Sequence, residues 1–296
     1  MNSQLIKKNA LLLLAAVIWG VAFVAQTVGM DYVGPFTFNA VRCFLGALVL
    51  LPAALFSARK KAAAPGSRRT LWLGGLVCGT ALAVASSLQQ VGLLYTSAGK
   101  AGFITALYIV IVPLLGLLVF RRRVSFVLGI SILLSVAGMY LLCLTGGLSL
   151  GTGDLLMLLC AFFFAVQILC VDYFSPRLNA VQLSCLQFFF CGIVTCILMF
   201  IFEKPNWESI CAAYIPLLYA GIFSCGVAYT LQILGQKGFN PTVASLILSL
   251  ESVFSALAGW ILLGEKLSPA ELGGCALIFA AIILAQLPER KKQTAK

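Results

Sequence analysis

The chain has 296 residues, 61% of them hydrophobic and only 10% charged, with a mean hydropathy of +1.06. A soluble domain carries about 25% charged residues, so this composition excludes an ordinary soluble fold. The formal charge of +11 sits between apolar runs rather than on one basic face, which argues against a nucleic-acid partner, and the absence of histidine removes histidine metal sites and histidine proton relays.

In chain order, apolar runs predict ten helices, over 10–30, 36–56, 71–95, 98–120, 124–144, 154–174, 180–202, 212–236, 242–263 and 268–287. Each is near the roughly 20 residues that cross a hydrocarbon core about 30 Å thick. The runs lack the alternation of a membrane barrel, and lipid-facing backbone must satisfy its own hydrogen bonds, so the expected fold class is an all-α integral membrane protein. Gly34-Pro35, Gly146-Gly147, Ser175-Pro176, Lys204-Pro205, Asn240-Pro241 and Ser268-Pro269 mark the junctions. The first run is long for a signal peptide and lacks a clear small-x-small cleavage site, so it reads as a retained helix. Eleven cysteines lie scattered in apolar runs without a C-x-x-C pair and read as small core residues.

Loop charge sets the expected topology. With a cytoplasmic N-terminus, that side collects Lys7, Lys8, Arg59, Lys60, Lys61, Arg68, Arg69, Arg121, Arg122, Arg123, Arg177, Lys237 and the four basic residues of the 290–296 tail. Only Lys204 and Lys266 fall clearly in opposite-side loops. Both termini are therefore placed in the cytoplasm, and the basic residues read as topology determinants touching anionic headgroups.

The stretch from Leu231 to Leu267 matches Leu88 to Val124 at an offset of 143, without gaps. Identities include Gln89/Gln232, Gly92/Gly235, Leu107/Leu250, Gly116/Gly259 and Ser125/Ser268. A weaker echo at an offset of 145 lays Arg42 on Gln187. Five spans per copy is an odd number, so the second copy enters the membrane from the opposite side. The expected organisation is a first five-helix repeat over 1–146, an inverted second repeat over 147–289 and a basic cytoplasmic tail over 290–296. Inverted repeats place a site near the bilayer midplane and let two halves exchange inward-open and outward-open states.

The helix ending in Trp19-Gly20, the segment TSAGKAGFITALYIVIVPLLG from Thr96 to Gly116 and LESVFSALAGWILLGEKLSPAELGG from Leu250 to Gly274 resemble the EamA-type branch of the drug/metabolite transporter superfamily. The resemblance covers nearly the whole chain. It implies ten helices in a 5+5 inverted repeat, a cavity between the first four helices of each half, peripheral fifth and tenth helices, and export or exchange of small metabolites, amino acids among them. Members often carry proline after the glutamate, where this chain has Ser252; Pro113 is left as the candidate kink of the fourth helix.

Glu251 is the candidate at the centre of the site, being a carboxylate near mid-span. Such a group is paired, protonated or facing water, and marks a functional candidate. Two readings stand: it binds a cationic group of the solute or a proton, or it is a structural carboxyl tied to Ser249, Ser252 and Ser255. Its repeat mate Tyr108 is expected at similar depth across the pseudo-two-fold axis, offering a ring and a hydroxyl, or simply packing. Gln89 and Gln232 are cavity candidates, since a buried amide costs a few kcal/mol without partners, and Ser249 is a further one. Trp19, with Gln26 seven residues on, shares one helix face and is a further lining candidate. Lys100 and Arg42 lie toward outer helix ends, where holding a solute carboxylate competes with snorkelling to headgroups. Gly75, Gly79, Ala83 and Ser87 form a small-residue ridge for close helix packing, and Gly273, Gly274, Ala276, Ala280 and Ala281 leave room for a homodimer through the tenth helix.

No phosphate-binding G-x-x-x-x-G-K-[ST] loop, catalytic triad or intramembrane aspartate pair is present, so neither an enzyme nor a cofactor or metal is expected. The leading expectation is a multi-pass secondary transporter of a small metabolite in the plasma membrane, the bacterial inner membrane in particular, with Glu251 as proton-coupling candidate. A substrate-selective channel or facilitator without proton coupling is the alternative, although no ring of charges or filter is visible.

Overall fold

A computed structural model describes residues 3–59, 67–96, 98–122, 124–143, 151–264 and 268–286. Lys60, Lys61, Arg123, Glu265, Lys266, the 146–147 junction and the 290–296 tail lie outside the described residues, as do the side chains of Arg59 and Lys100. Among the described residues every regular element is helical.

The first half comprises α1 (Ser3–Met30), α2 (Pro35–Arg59), α3 (Arg68–Gly92), α4 (Ala98–Ala106), α5 (Tyr108–Phe120) and α6 (Phe126–Cys143). The second comprises α7 (Thr152–Phe174), α8 (Ala180–Phe202), α9 (Trp207–Ala212), α10 (Tyr214–Leu218), a π-helical stretch (Tyr219–Ala228), α11 (Tyr229–Gln236), α12 (Pro241–Leu248), α13 (Leu250–Leu263) and α14 (Pro269–Ala285). Among the described residues, eight helical segments are long and apolar enough to cross a membrane: α1, α2, α3, 101–120, α7, α8, 214–236 and 241–262. The helices expected as fifth and tenth, α6 and α14, are apolar but shorter, with α14 only 17 residues long. At 1.5 Å per residue α14 covers about 26 Å, less than a full hydrocarbon core.

Packing between the halves is reciprocal. The second helices α2 and α8 lie on each other, and so do α6 and α14. The third helix α3 packs on α7, while its counterpart, the π-helical stretch with α11, packs on α1. Likewise α4 and α5 lean on α7, and α12 and α13 lean on α1. Helices in lipid gain little from a hydrophobic effect between them, so contacts rely on close backbone approach. Gly20 on α1 supplies one: a Cβ there would lie 2.8 Å from the Ser255 backbone nitrogen of α13. Gly79 on α3 supplies another, 2.6 Å from the Gln187 carbonyl oxygen of α8. Gly274 and Ala281 turn toward the interior, with the Gly274 carbonyl against Gly138 of α6, so part of the small-residue face of the last helix serves this chain's own packing. Gly273, Ala276 and Ala280 are not buried.

Three of the segments expected as continuous helices are interrupted. The fourth breaks at Leu107, six residues before Pro113, where Val110 N–H reaches back only three residues to Leu107 C=O. The ninth breaks at Ser249, within one residue of the repeat-equivalent position and without any proline. There the hydroxyls of Ser245, Ser249 and Ser252 donate to the Thr242, Leu246 and Ser249 carbonyls at 2.9, 2.7 and 2.8 Å. Serine bonds to carbonyls of the preceding turn bend helices. The eighth widens into the π-helical stretch, a distortion found at functional sites.

Candidate functional site

The two breaks sit where the halves meet. Tyr108 is the first residue after one break and Glu251 the second after the other. Tyr108 Oη donates to Glu251 Oε1 at 3.0 Å, and both residues are buried. Both side chains line the space between α1, α3, α7 and the π-helical stretch.

That space is a central cavity. Trp19, Gln89, Tyr108, Gln232 and Glu251 line it together with Gln26, Arg42, Gln167 and Tyr229. Its free volume is about 40 Å³, room for a few waters, whereas ligand pockets run to about 300–1,000 Å³. The cavity walls are amide-rich. Gln232 Nε2 donates to Gln167 Oε1 at 3.2 Å, and Gln167 Nε2 donates to Gln187 Oε1 at 3.1 Å. On the other side Gln89 Nε2 reaches Thr105 Oγ1 at 3.5 Å. A partial aromatic wall is formed by Trp19 against Tyr229, with centroids 4.6 Å apart, and Tyr229 against Phe188 at 5.1 Å. Trp19 Nε1, Gln232 Oε1 and Gln187 Nε2 are buried without a protein partner. Buried polar atoms of this kind are costly unless they are hydrogen-bonded.

Arg42 is the residue that sequence reasoning undervalued. Snorkelling toward headgroups is not what it does: it is only 6% exposed and turns into the cavity, with Nη1 donating to Gln26 Oε1 at 2.8 Å. Its position near an outer helix end is compatible with either direction, and the Gln26 amide facing it in the structure is what decides. Ser249 is buried but does not line the cavity, because its hydroxyl is committed to Leu246 C=O at the helix break. The Lys100 side chain lies outside the described residues. Among the described residues no cluster of three or more His, Cys, Asp or Glu side chains suits a metal ion.

Two polar contacts tie the bundle ends. At the ends of α5 and α7, Arg122 Nη1 pairs with Asp172 Oδ2 at 2.7 Å. At the opposite end of the α2–α8 pair, Glu203 accepts from the Phe36 and Thr37 backbone N–H groups, each at 2.8 Å, capping α2.

The sequence model of the EamA-like transporter family matches residues 6–144 and again 151–287. An uncharacterized transporter of Archaeoglobus fulgidus is 33% identical over 281 residues, covering 93% of this chain and 84% of that protein. A WAT1-related chloroplastic protein of Arabidopsis thaliana is 26% identical over 92% of this chain and 67% of its own length. A solved crystal structure superposes with a TM-score of 0.78 over 94% of this chain and 96% of its own, at 18% identity, a likeness of fold alone. Matched in both halves and one-third identical to a transporter along nearly its whole length, the protein is a multi-pass membrane protein that belongs to the EamA-like transporter family.

Proposed function

We propose that the protein is a secondary transporter that exports or exchanges a small metabolite by alternating access around the cavity between its halves. In this reading the chain crosses the plasma membrane ten times, with α6 and α14 as short fifth and tenth spans and both termini in the cytoplasm. The second repeat, 147–289, is inverted relative to the first, 1–146. The observation that carries the proposal is the Tyr108–Glu251 bond at 3.0 Å. One side chain from each half, at equivalent positions and each beside a broken helix, meets its counterpart in a buried cavity, the arrangement from which rocking-bundle transporters bind at the midplane.

Glu251 binds a proton or a cationic group of the solute in exchange for the Tyr108 hydroxyl. Gln89, Gln232 and Trp19 supply the neutral polar and aromatic wall, and Lys100 is a further contact in the same reading. The Arg122–Asp172 pair closes the cytoplasmic end and the Glu203 cap closes the outer end. The unburied Gly273, Ala276 and Ala280 of α14 are the surface proposed for a homodimer.

Purified protein in proteoliposomes tests this. Counterflow of a small amphipathic or amino-acid-like solute at carrier rates is the expected result. Absence of counterflow for every solute in such a panel sinks the proposal, and unitary currents in planar bilayers assign a channel instead.

A further inference from the structure

Arg42 has no task in the cycle described so far, and its surroundings are expensive. The guanidinium is buried, and among the described residues no carboxylate lies within ion-pair distance of it. Glu251, on the same cavity wall, is bonded to Tyr108 instead. Arg42 meets Gln26 Oε1 at 2.8 Å from Nη1, the Phe38 ring with its centroid 5.6 Å away, and the Cys43 thiol beside it. Its Nε has no protein partner. An unpaired charge in such a site costs several kcal/mol after relaxation. One amide bond and one ring face return only about 1.5–3 and 0.5–2 kcal/mol. The echo position in the second half carries the neutral Gln187.

The amide holding Arg42 is itself oriented. Gln26 Nε2 donates to Ala22 C=O of its own helix at 3.3 Å, which leaves its oxygen facing the guanidinium. Gln26 thus positions Arg42 with a donor edge still open toward the cavity.

We infer that Arg42 is an anion subsite that receives a carboxylate of the transported solute. The inference rests on the transporter reading of the cavity and names the class of molecule it takes. A single guanidinium among neutral hydroxyls and amides neutralises one negative charge, so the match is a compact monocarboxylate. A phosphate dianion or a dicarboxylate would leave a second charge desolvated in the same space as Glu251. The planar fork of arginine suits the two oxygens of a carboxylate, which lysine does not reproduce.

Thermal-shift measurements on the purified full chain test the subsite with matched triplets. Each triplet holds an amino acid, the amine lacking its carboxylate and the acid lacking its amine, and inorganic phosphate is added as a separate probe. Members bearing one carboxylate should raise Tm, and their matched amines should not. Arg42→Gln should weaken carboxylate binding by about ten- to a hundredfold, as expected for a charged hydrogen bond, while Arg42→Lys retains part of it. The unliganded Tm of Arg42→Gln should equal or exceed that of the unsubstituted protein. Should that variant fail to fold, the carboxylate-against-amine comparison on the unsubstituted protein still decides.

Amines that bind as well as their amino acids, phosphate binding in place of carboxylates, an undiminished shift in Arg42→Gln, or no carboxylate binding at all would each overturn the subsite. Counterflow of a solute lacking a carboxylate overturns the subsite and leaves the transporter reading standing. Carboxylates that bind through Arg42 but never cross a liposome membrane do the reverse.

Discussion

Tyr108 and Glu251, 143 residues apart, occupy equivalent positions in the two halves of the chain and are joined by one hydrogen bond of 3.0 Å. In the proposed transporter, a contact between repeat mates places both close to the axis relating the halves, where a site reachable from either side lies. Glu251→Gln keeps the size of the side chain and removes its proton. In proteoliposomes it is expected to abolish accumulation driven by a pH gradient while leaving counterflow at equal pH. Intact gradient-driven accumulation in this variant removes Glu251 from coupling.

The bend at Ser249 is expected to aim Glu251. Ser249→Ala deletes the 2.7 Å bond to Leu246 C=O, a loss of about 1 kcal/mol of stability. If the bend positions the carboxyl, Ser249→Ala and Tyr108→Phe couple by more than about 0.5 kcal/mol in a double-mutant cycle on transport rate. Additive effects show that the serine acts on stability alone.

Gly20 and Gly129 offer a matched pair for packing. A Cβ at Gly20 runs into backbone of α13, whereas nothing lies within 4 Å of one at Gly129. Gly20→Ala is expected to cost about 1–3 kcal/mol through forced separation of α1 and α13, and Gly129→Ala should leave Tm unchanged or slightly higher. Detergent thermal melts of the two variants make the comparison, and equal Tm values contradict the close approach.

The Arg122–Asp172 pair is 47% exposed on the arginine side and 10% on the aspartate side. Pairs with an exposed partner contribute about 0–1 kcal/mol, so Asp172→Asn should barely change Tm. As the proposed cytoplasmic closure, its loss should instead speed modification of the cavity thiols Cys43 and Cys225 by a membrane-impermeant reagent in inside-out vesicles. Mass spectrometry resolves these sites from the exposed Cys211. An unchanged labelling rate sends the search for a gate elsewhere.

Much of this arrangement is legible in the sequence. Apolar run length located the helical segments, and the gapless match of Gln89/Gln232 and Leu107/Leu250 identified the repeat and hence Tyr108 and Glu251 as equivalent positions. The direction of Arg42 was not legible. A long basic side chain near a helix end reaches headgroups or interior from the same backbone, and only the facing Gln26 decides between them. The break at Ser249 was hidden because no proline marks it; Ser249 and Ser252, which read as partners for Glu251, spend their hydroxyls on helix carbonyls instead. The π-helical widening from Tyr219 to Ala228 has no compositional sign either, since it changes which residues share a face without changing their polarity.

The first half contributes Arg42 and Tyr108 to the cavity, and the second contributes Glu251, with Gln187 at the position echoing Arg42. Two identical halves would hold inward- and outward-facing forms at the same energy, since each form is the other turned over. A basic group on one half and a carboxyl on the other give the cavity a polarity that such symmetry forbids. In the proposed cycle the two forms are therefore unequal in energy at rest, and that inequality gives the empty carrier a preferred side from which to load.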